Sequence, residues 1–267
     1  MDLQLKGKRA LVTGGSRGIG KAIARELARE GADVAILARD PERLKSAAAE
    51  LAKESGRTVV GVVVDTTNAD SVNAAMAEAV KGLGGGIDIL VNAAAQPGGS
   101  QPAPKLAGLT AEYFHGEMNT KVMGYIRCAQ AVAPYMKEKG WGRIINISGM
   151  AARRSGNVVG SMRNVSVVAM TKNLSEELGP SGINVTVVHP GTTRTERTPA
   201  RIAELAKKRN VAEAVVEKEM ADGNTIKHLV DASEIAYIVA FLASPKSIAI
   251  NGDLIAAGGG PGKAIYY

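Results

Sequence analysis

The sequence predicts an α/β fold in which a doubly wound, seven-stranded parallel sheet carries helices on both faces. Short runs rich in Val, Ile and Leu alternate with Ala-rich helical stretches, an order typical of parallel sheets. A glycine cluster joins the first of these runs directly to a helix. No linker, repeat or change in composition divides the 267 residues. We therefore expect a single domain over residues 1–267.

Seven strands are predicted from β-rich runs that are bounded by turn-forming or charged residues. The first strand ends at the glycine cluster, and the last one closes the sheet. In chain order, the predicted strands span residues 9–13 (RALVT), 33–38 (DVAILA), 58–64 (TVVGVVV), 87–91, 143–147, 183–188 and 253–256.

The stretches between the strands are predicted to be helices. In the first of them, Ile19, Ile23 and Leu27 recur at the four-residue spacing of one helix face. The second begins at Pro41, where a missing N–H costs little, and Asp40 can cap it. The other predicted helices span residues 70–81, 111–137, 162–178, 199–221 and 232–242, and the first spans residues 19–29.

Composition and charge restrict the class of protein. Apolar residues make up 45% of the chain, which excludes a disordered segment. The net charge of +7 comes from Lys and Arg scattered along helix faces, so we expect no nucleic-acid partner. No run of about 18 uncharged apolar residues occurs, so we expect no membrane span. The single cysteine, Cys128, suits a reducing, cytoplasmic location.

The glycine cluster between the first strand and the first helix is a candidate phosphate-binding turn. Residues 13–20 read TGGSRGIG, with glycines spaced G-x₃-G-x-G. Glycines let the backbone approach a pyrophosphate closely, and the helix N-terminus presents free N–H groups to it. The alternative is a tight turn without a ligand. The position after the first strand of an alternating α/β chain favours a dinucleotide.

Several motifs in order along the chain resemble the short-chain dehydrogenase/reductase family, and the resemblance covers nearly the whole sequence. It implies a Rossmann fold, a nicotinamide cofactor, a small-molecule substrate, and a homo-oligomer (dimer or tetramer) formed through the long helix and the helix after Ser148. The cofactor-binding positions that it implies are Gly14, Ser16, Arg17, Gly18, Ile19, Gly20, Asp65, Asn92, Pro190, Gly191 and Thr195.

The end of the second strand favours NADP(H) over NAD(H). An acidic residue there normally binds the adenosine ribose and repels a 2′-phosphate. Here the position holds Ala38, followed by Arg39, and Arg17 lies in the glycine turn. Guanidinium groups bind phosphate through two parallel hydrogen bonds. The alternative is that Arg39 is only a solvated residue at a strand end.

The family's Tyr-x₃-Lys pair, which donates the proton and holds the ribose, is missing from its usual helix. Aligning that helix through residues 167–174 (VVAMTKNL) puts Gly160 at the tyrosine position and Asn164 at the lysine position. A register shifted by two residues puts Met162 and Ser166 there instead. Neither alignment restores the pair, so the usual mechanism cannot be written with these residues.

A Tyr-x₃-Lys string does occur at residues 135–139. It precedes the fifth strand and lies at the end of the long helix, on the wrong side of the sheet for this chemistry. We interpret it as unrelated to catalysis. Positioned general-acid catalysis is worth about 10²–10⁴-fold in rate, so its absence requires a substitute donor or implies an inactive site.

Three residues are candidates for the catalytic work, and no metal site is predicted. Ser148 follows the fifth strand and could orient a carbonyl, or only bond the backbone of its own turn. Asn119 matches the family's active-site asparagine. His189 precedes Pro190 and has an ordinary pKa near 6.5, which suits an acid or base. The alternative for His189 is a buried, hydrogen-bonded structural residue.

Basic residues surround these positions and favour a small anionic substrate, if two or more of them face the pocket. They are Arg153, Arg154, Arg163, Arg194 and Arg197. The loops at 96–108, 149–159 and 192–221 are expected to select the substrate. Tyr266 and Tyr267 offer an alternative phenol, delivered from a neighbouring subunit.

Three hypotheses of function follow. The first is an NADP(H)-dependent oxidoreductase that interconverts a carbonyl and an alcohol with a non-standard acid/base group. The second is a catalytically silent NADP(H)-binding protein that acts as a redox-state sensor or assembly partner. The third, ranked last, is a lyase or hydrolase in the same pocket, because Ser148 has no evident base next to it in the sequence.

Overall fold

Seven parallel strands form the central sheet of the computed structural model, which describes residues 1–95 and 103–262. They are β1 (Arg9–Thr13), β2 (Asp33–Ala38), β3 (Val59–Val63), β4 (Ile89–Asn92), β5 (Gly142–Ile147), β6 (Ile183–Pro190) and β9 (Leu254–Ala257). Their order in the sheet is β3-β2-β1-β4-β5-β6-β9. The predicted fold class is thereby confirmed.

Two short strands, β7 (Thr193–Arg194) and β8 (Val230–Asp231), pair outside the main sheet. The helices are α1 (Gly18–Arg29), α2 (Pro41–Ser55), α3 (Ala69–Gly82), α4 (Ala111–Met118), α5 (Gly124–Lys139), α6 (Val158–Leu178), α7 (Thr198–Arg209), α8 (Glu213–Asp222) and α9 (Ala232–Ala243).

Successive strand residues point to opposite faces of the sheet, and each face has its own apolar core. In β1, Ala10 and Val12 pack on the side of α1 and α9, whereas Leu11 packs on the side of α3 and α5. Because both faces are covered, the strands are apolar throughout rather than alternating. Because the seven strands are parallel, their carboxyl ends lie together along one edge of the sheet.

Three predicted helices differ from the observed ones in a way that bears on the site. A π-helical turn, Asn119–Met123, separates α4 from α5 within the long helical run that the sequence predicts as one helix. The helix predicted over residues 199–221 is divided at Asn210, whose φ of 51° ends α7. The helix α6 begins at Val158, four residues before the predicted start. Asn157 caps it, because the Asn157 side chain accepts a hydrogen bond from Gly160 N.

Some predictions concern residues outside the described part of the chain. The loop predicted over residues 96–108 is described only from residue 103, and Tyr266 and Tyr267 lie outside the described residues. Within the described ranges, no helix has the length and apolarity that crossing a bilayer requires.

Candidate functional site

A cleft of about 1530 Å³ opens at the carboxyl ends of the strands. The strand order reverses between β1 and β4, and open α/β sheets bind ligands at this switch point. The cleft is lined at one end by the turn after β1 and the end of β2, and at the other by residues after β5 and on α6.

The turn after β1 approaches its neighbours so closely that only glycine fits. A Cβ built on Gly20 would lie 2.3 Å from Gly14 O, and one built on Gly14 would lie 2.9 Å from Ala93 O. Gly18 has a φ of +58°, a conformation that L side chains rarely adopt. The turn therefore holds the first N–H groups of α1 next to the cleft.

An anionic group already lies at the N-terminus of α1. Both carboxylate oxygens of Glu196 accept from Gly18 N at 3.1 Å. A helix N-terminus stabilises negative charge through its free N–H groups and its dipole. These residues therefore fit the phosphates of a dinucleotide, which must displace the Glu196 carboxylate. Sequence reasoning did not single out Glu196, because its distance from the turn is 178 residues along the chain.

Three guanidinium groups line the same end of the cleft. Arg17 and Arg39, both predicted from the sequence, are joined by Arg43 of α2, which was not. Burial, together with the charges of Arg43 and Arg197, lowers the pKa of Arg17. This clustering of like charge creates a positive potential where the adenosine side of a dinucleotide would lie.

Most of the predicted cofactor residues line the cleft, and one does not. Those that do are Gly14, Ser16, Arg17, Gly18, Ile19, Gly20, Arg39, Asp65, Pro190, Gly191 and Thr195.

Asn92 is fully buried and is not among the lining residues. Its amide donates to Asn146 Oδ1 at 2.9 Å, across the pair of strands β4 and β5. The Asn92 side chain thus joins two strands beneath the cleft, and cofactor binding by this residue stays a prediction.

The Asp65 carboxylate is engaged within its own turn. It accepts from Thr67 N at 2.9 Å and from Thr67 Oγ1 at 2.7 Å. These two hydrogen bonds lower the pKa of Asp65. The carboxylate is thus held charged at the end of β3, on the border of the cleft.

Ser148, Gly160 and Asn164 meet at the other end of the cleft. Ser148 Oγ donates to the main-chain O of Asn164 at 3.1 Å. Gly160 offers no side chain, and the Asn164 amide carries no charge. In contrast, Lys139 forms an ion pair with Asp88, which precedes β4 at the opposite edge of the sheet, so the Tyr-x₃-Lys string lies away from the cleft.

Asn119 begins the π-helical turn, and its side chain is not among those that line the cleft. Its Oδ1 accepts from Arg127 Nη2 at 2.9 Å, and Arg127 also donates to Thr66 O at 3.1 Å. The Asn119 side chain is thus engaged by Arg127, and a catalytic role for Asn119 stays a prediction. The π-helical turn, a feature often found at functional sites, contains the lining residues Thr120 and Lys121.

His189 is buried below the cleft rather than facing it. Its exposure is 0%, and it does not line the cleft. Nδ1 lies 3.1 Å from Gly149 N and 2.7 Å from Gly149 O. Burial lowers the pKa of His189 to about 4, so the ring is neutral at neutral pH. The burial and the two contacts with Gly149 favour the alternative of a buried structural histidine over an acid or base.

Because His189 is buried in its neutral form, the free energy of unfolding of the protein depends on pH. Between pH 6.5 and about 4 the unfolded chain binds a proton that the folded chain does not, so stability falls as pH falls through this window. We expect acidification from about pH 7.5 to about pH 5 to cost about 2 kcal/mol through this residue. Urea unfolding of the wild type and His189→Gln at both pH values checks this. An equal loss of unfolding free energy on acidification in the wild type and in His189→Gln would contradict this assignment.

A buried lysine on the π-helical turn, Lys121, is a further residue that the sequence did not predict for this site. Lys121 lines the cleft and is 4% exposed. Its Nζ donates to Ser148 O and to Asn164 Oδ1, both at 3.1 Å. A signal was available, because Lys121 stands in helical phase with the buried residues Tyr125 and Cys128 of α5.

Three of the arginines predicted around the substrate line the cleft, and so does one arginine that was not predicted. Arg154, Arg163 and Arg197 line it, as does Arg201 of α7. Arg163 forms a largely buried ion pair with Glu117 of α4. Arg194 pairs instead with Glu217 and Asp231 outside this cleft, and Arg153 is not a lining residue.

Comparison with known proteins shows similarity over almost the whole chain. A family model described as short chain dehydrogenase matches residues 8–206. The chain is 32% identical to the 3-oxoacyl-(acyl-carrier-protein) reductase FabG of Aquifex aeolicus, over 97% of this chain and 99% of that protein. It is also 32% identical to the short-chain reductase protein NovJ of Streptomyces niveus, over 94% and 92%.

Solved structures show the same similarity. The L-sorbose reductase of Gluconobacter frateurii, complexed with NADPH and L-sorbose, superposes with a TM-score of 0.92 at 29% identity, covering 99% of this chain and 100% of that one. A short chain dehydrogenase of Burkholderia cenocepacia, in complex with NADP, has a TM-score of 0.80 at 33% identity, covering 96% and 98%.

Proposed function

Because this chain belongs to the short-chain dehydrogenase family, we propose that it interconverts a carbonyl and an alcohol on a small anionic substrate, with a non-standard acid/base group. The observation that carries the proposal is the cleft itself. It combines a phosphate-binding turn, a cluster of guanidinium groups and a basic substrate end along one edge of the sheet.

NADP(H) is the cofactor. Related structures contain NADPH or NADP, and Arg17, Arg39 and Arg43 lie together where the second strand ends. Phosphate carries more negative charge than a ribose hydroxyl, so this cluster favours the phosphorylated dinucleotide. The preference for NADP(H) over NAD(H) is thus confirmed.

The residues around the cleft have distinct parts in holding the cofactor. The backbone of the turn from Gly14 to Gly20 would hold the phosphates, and Asp65 would border the adenine. Pro190, Gly191 and Thr195 would hold the nicotinamide amide. When bound, NADPH supplies the hydride that reduces the carbonyl carbon. The protein's part is to bind and orient both partners and to supply the proton.

The residues at the substrate end of the cleft support an acid/base group that differs from the family's usual one. Gly160 and Asn164 stand at the positions of the tyrosine and the lysine, and neither can donate a catalytic proton. Ser148 is left to orient the carbonyl through its hydroxyl, which lies in the cleft. Arg154 and Arg201 also line the cleft and favour an anionic group on the substrate.

A second candidate function is a catalytically silent NADP(H)-binding protein. The hydrogen bond from Ser148 Oγ to Asn164 O favours it, because a hydroxyl engaged by the helix is less available to a carbonyl. A lyase or hydrolase is the least supported alternative. Ser148 has no histidine base in the cleft, since His189 is buried and bonded to Gly149.

The decisive experiment follows NADPH consumption at the nicotinamide absorbance band with a panel of carbonyl compounds. The panel should contain L-sorbose, a 3-oxoacyl thioester, and ketones with and without a carboxylate. We expect turnover, fastest with a carboxylate-bearing ketone. Saturable NADPH binding without turnover of any compound would instead support the silent alternative.

We further propose that the chain is a single domain that assembles as a homo-oligomer in the cytoplasm. Val158, Met162 and Val165 are exposed apolar residues on α6, and an unpartnered apolar face of this kind favours an interface between subunits. Cys128 is buried and free, as suits a reducing compartment. Sedimentation analysis should give the mass of a dimer or tetramer.

A further inference from the structure

The side chain of Lys121 is held at the substrate end of the cleft by two neutral oxygen atoms. Ser148 O and Asn164 Oδ1 each accept from its Nζ at 3.1 Å. An ammonium group has three protons, and among the residues that the structure describes no hydrogen-bond acceptor takes the third. Lys121, Ser148 and Asn164 all line the cleft.

We propose that Lys121 is the proton donor and acceptor of this site, in place of the missing tyrosine. The proposal rests on the oxidoreductase function proposed above and names the group that completes it. Lys121 enters the cleft from the π-helical turn, whereas the family's usual pair would enter from α6. Asn164, at the position of the family's lysine, becomes the acceptor that holds Lys121 in place.

The surroundings of Lys121 make proton release easy. Burial lowers its pKa from 10.5 to about 7, and the charge of Arg163 on α6 acts in the same direction. Glu117 on α4 acts in the opposite direction, but this carboxylate is paired with Arg163. The Tyr125 ring lies 6.0 Å away, and the nearby His189 is neutral at this pH.

Both protonation states of Lys121 fit the same geometry. The ammonium form keeps its two hydrogen bonds and has one proton left for the cleft. The neutral amine still has two N–H groups for Ser148 O and Asn164 Oδ1, and its lone pair is left over. No rearrangement of the acceptors is needed when the proton leaves. A group with a pKa near the working pH is best suited to such transfer.

The reaction balances with this assignment. In reduction, the carbonyl carbon gains the hydride supplied by bound NADPH, and the C=O π electrons move to oxygen. That oxygen forms an O–H bond with a proton of Lys121, and the electron pair of the broken N–H bond stays on Nζ. A solvent proton then restores the ammonium. In oxidation, the neutral amine of Lys121 takes the hydroxyl proton, and NADP⁺ accepts the hydride.

A purely structural role for Lys121 is the competing explanation. A buried structural cation is normally paired with an anion, because an isolated charge in the interior is costly. Here both acceptors are uncharged, and the carboxylate of Glu117 is taken by Arg163. The site thus disfavours the charged form of Lys121 rather than stabilising it. This environment suits a proton-transfer role for Lys121 better than a structural role.

The first test is a direct titration of Lys121 without substrate. The full-length protein is labelled with ¹³C at lysine Cε, and its spectra are recorded from about pH 5.5 to about pH 11, with Lys121→Arg used for assignment. We expect the Lys121 signal to titrate near pH 7. A Lys121 midpoint in the ordinary range for lysine would overturn the proposal.

The second test compares Lys121→Met with the matched surface variant Lys172→Met. The methionine side chain has a similar length to that of lysine but no proton that it can donate. With the best carbonyl from the panel, we expect Lys121→Met to lower kcat by about 10²–10⁴-fold, with NADPH affinity changed little. Lys172→Met should behave as the wild type. Wild-type reduction should slow above about pH 7, and Lys121→Arg should lose that inflection, because arginine stays protonated.

The two tests separate failure of this inference from failure of the proposed function. Turnover that survives in Lys121→Met, with its pH inflection intact, would reject Lys121 as the donor and leave the oxidoreductase standing. Absence of turnover in the wild type would reject the oxidoreductase and this inference with it, whatever the titration shows. A Lys121→Met protein that fails to bind NADPH would assign Lys121 a structural role.

Discussion

Replacing Gly20 with alanine is expected to lower NADPH affinity by roughly 100-fold. The added Cβ would lie 2.3 Å from Gly14 O and 2.8 Å from Gly14 C. Neither backbone atom can move without displacing the turn or the start of α1. Overpacking of this kind costs about 1–3 kcal/mol, and it acts here on the N–H groups that would hold the phosphates. Fluorescence titration with NADPH measures the loss.

Gly116→Ala is the matched control for this change. Gly116 also lies within a helix, α4, but a Cβ there would meet no atom within 4 Å. We expect unchanged NADPH affinity and a stability equal to or slightly above that of the wild type, since alanine is the better helix former by about 1 kcal/mol. Equal NADPH affinity in Gly20→Ala and Gly116→Ala would contradict the assignment of the turn.

Replacing Arg39 with aspartate is expected to invert the cofactor preference. The change removes a guanidinium beside Arg17 and Arg43 and places a carboxylate at the end of β2. A carboxylate there accepts hydrogen bonds from ribose hydroxyls and repels a 2′-phosphate. Loss of one charge-assisted bond costs about 1.5–3 kcal/mol, and repulsion adds to it. We expect NADPH affinity to fall about 100-fold and NADH affinity to rise.

The control for charge alone is Arg29→Ala, which removes an exposed arginine in the last turn of α1, outside the cleft. It should leave the ratio of NADPH to NADH affinity as in the wild type. The wild-type ratio should also decrease at high salt, because screening weakens exposed charge pairs. An unchanged ratio in Arg39→Asp would show that Arg39 is only a solvated residue.

The sequence predicted the sheet and most of the residues that line the cleft around the glycine turn, because these depend on local signals. Apolar runs mark strands buried on both faces, and the glycine spacing of residues 13–20 lies within one turn. The break at Asn210 was missed because the helical pattern continues on both sides of a single residue with a positive φ. The strands β7 and β8 are two residues long, too short for a periodic pattern.

The substrate end depends on contacts between distant residues, and the sequence predicted less of it. Ser148 lines the cleft, but the burial of His189 and the engagement of Asn119 by Arg127 arise only when elements pack together. Glu196 reaches the turn from far along the chain. Lys121 shares the phase of a buried helix face, yet a lysine among helical residues is usually solvated, so only the packed structure distinguishes it.

The most direct test of this account is a calorimetric titration of the protein with NADPH and, in parallel, with NADH in the same buffer and salt. We expect saturable binding of NADPH at one site per chain, tighter than that of NADH by at least about 10-fold, which is about 1.4 kcal/mol. No saturable binding of either dinucleotide, or tighter binding of NADH, would contradict it.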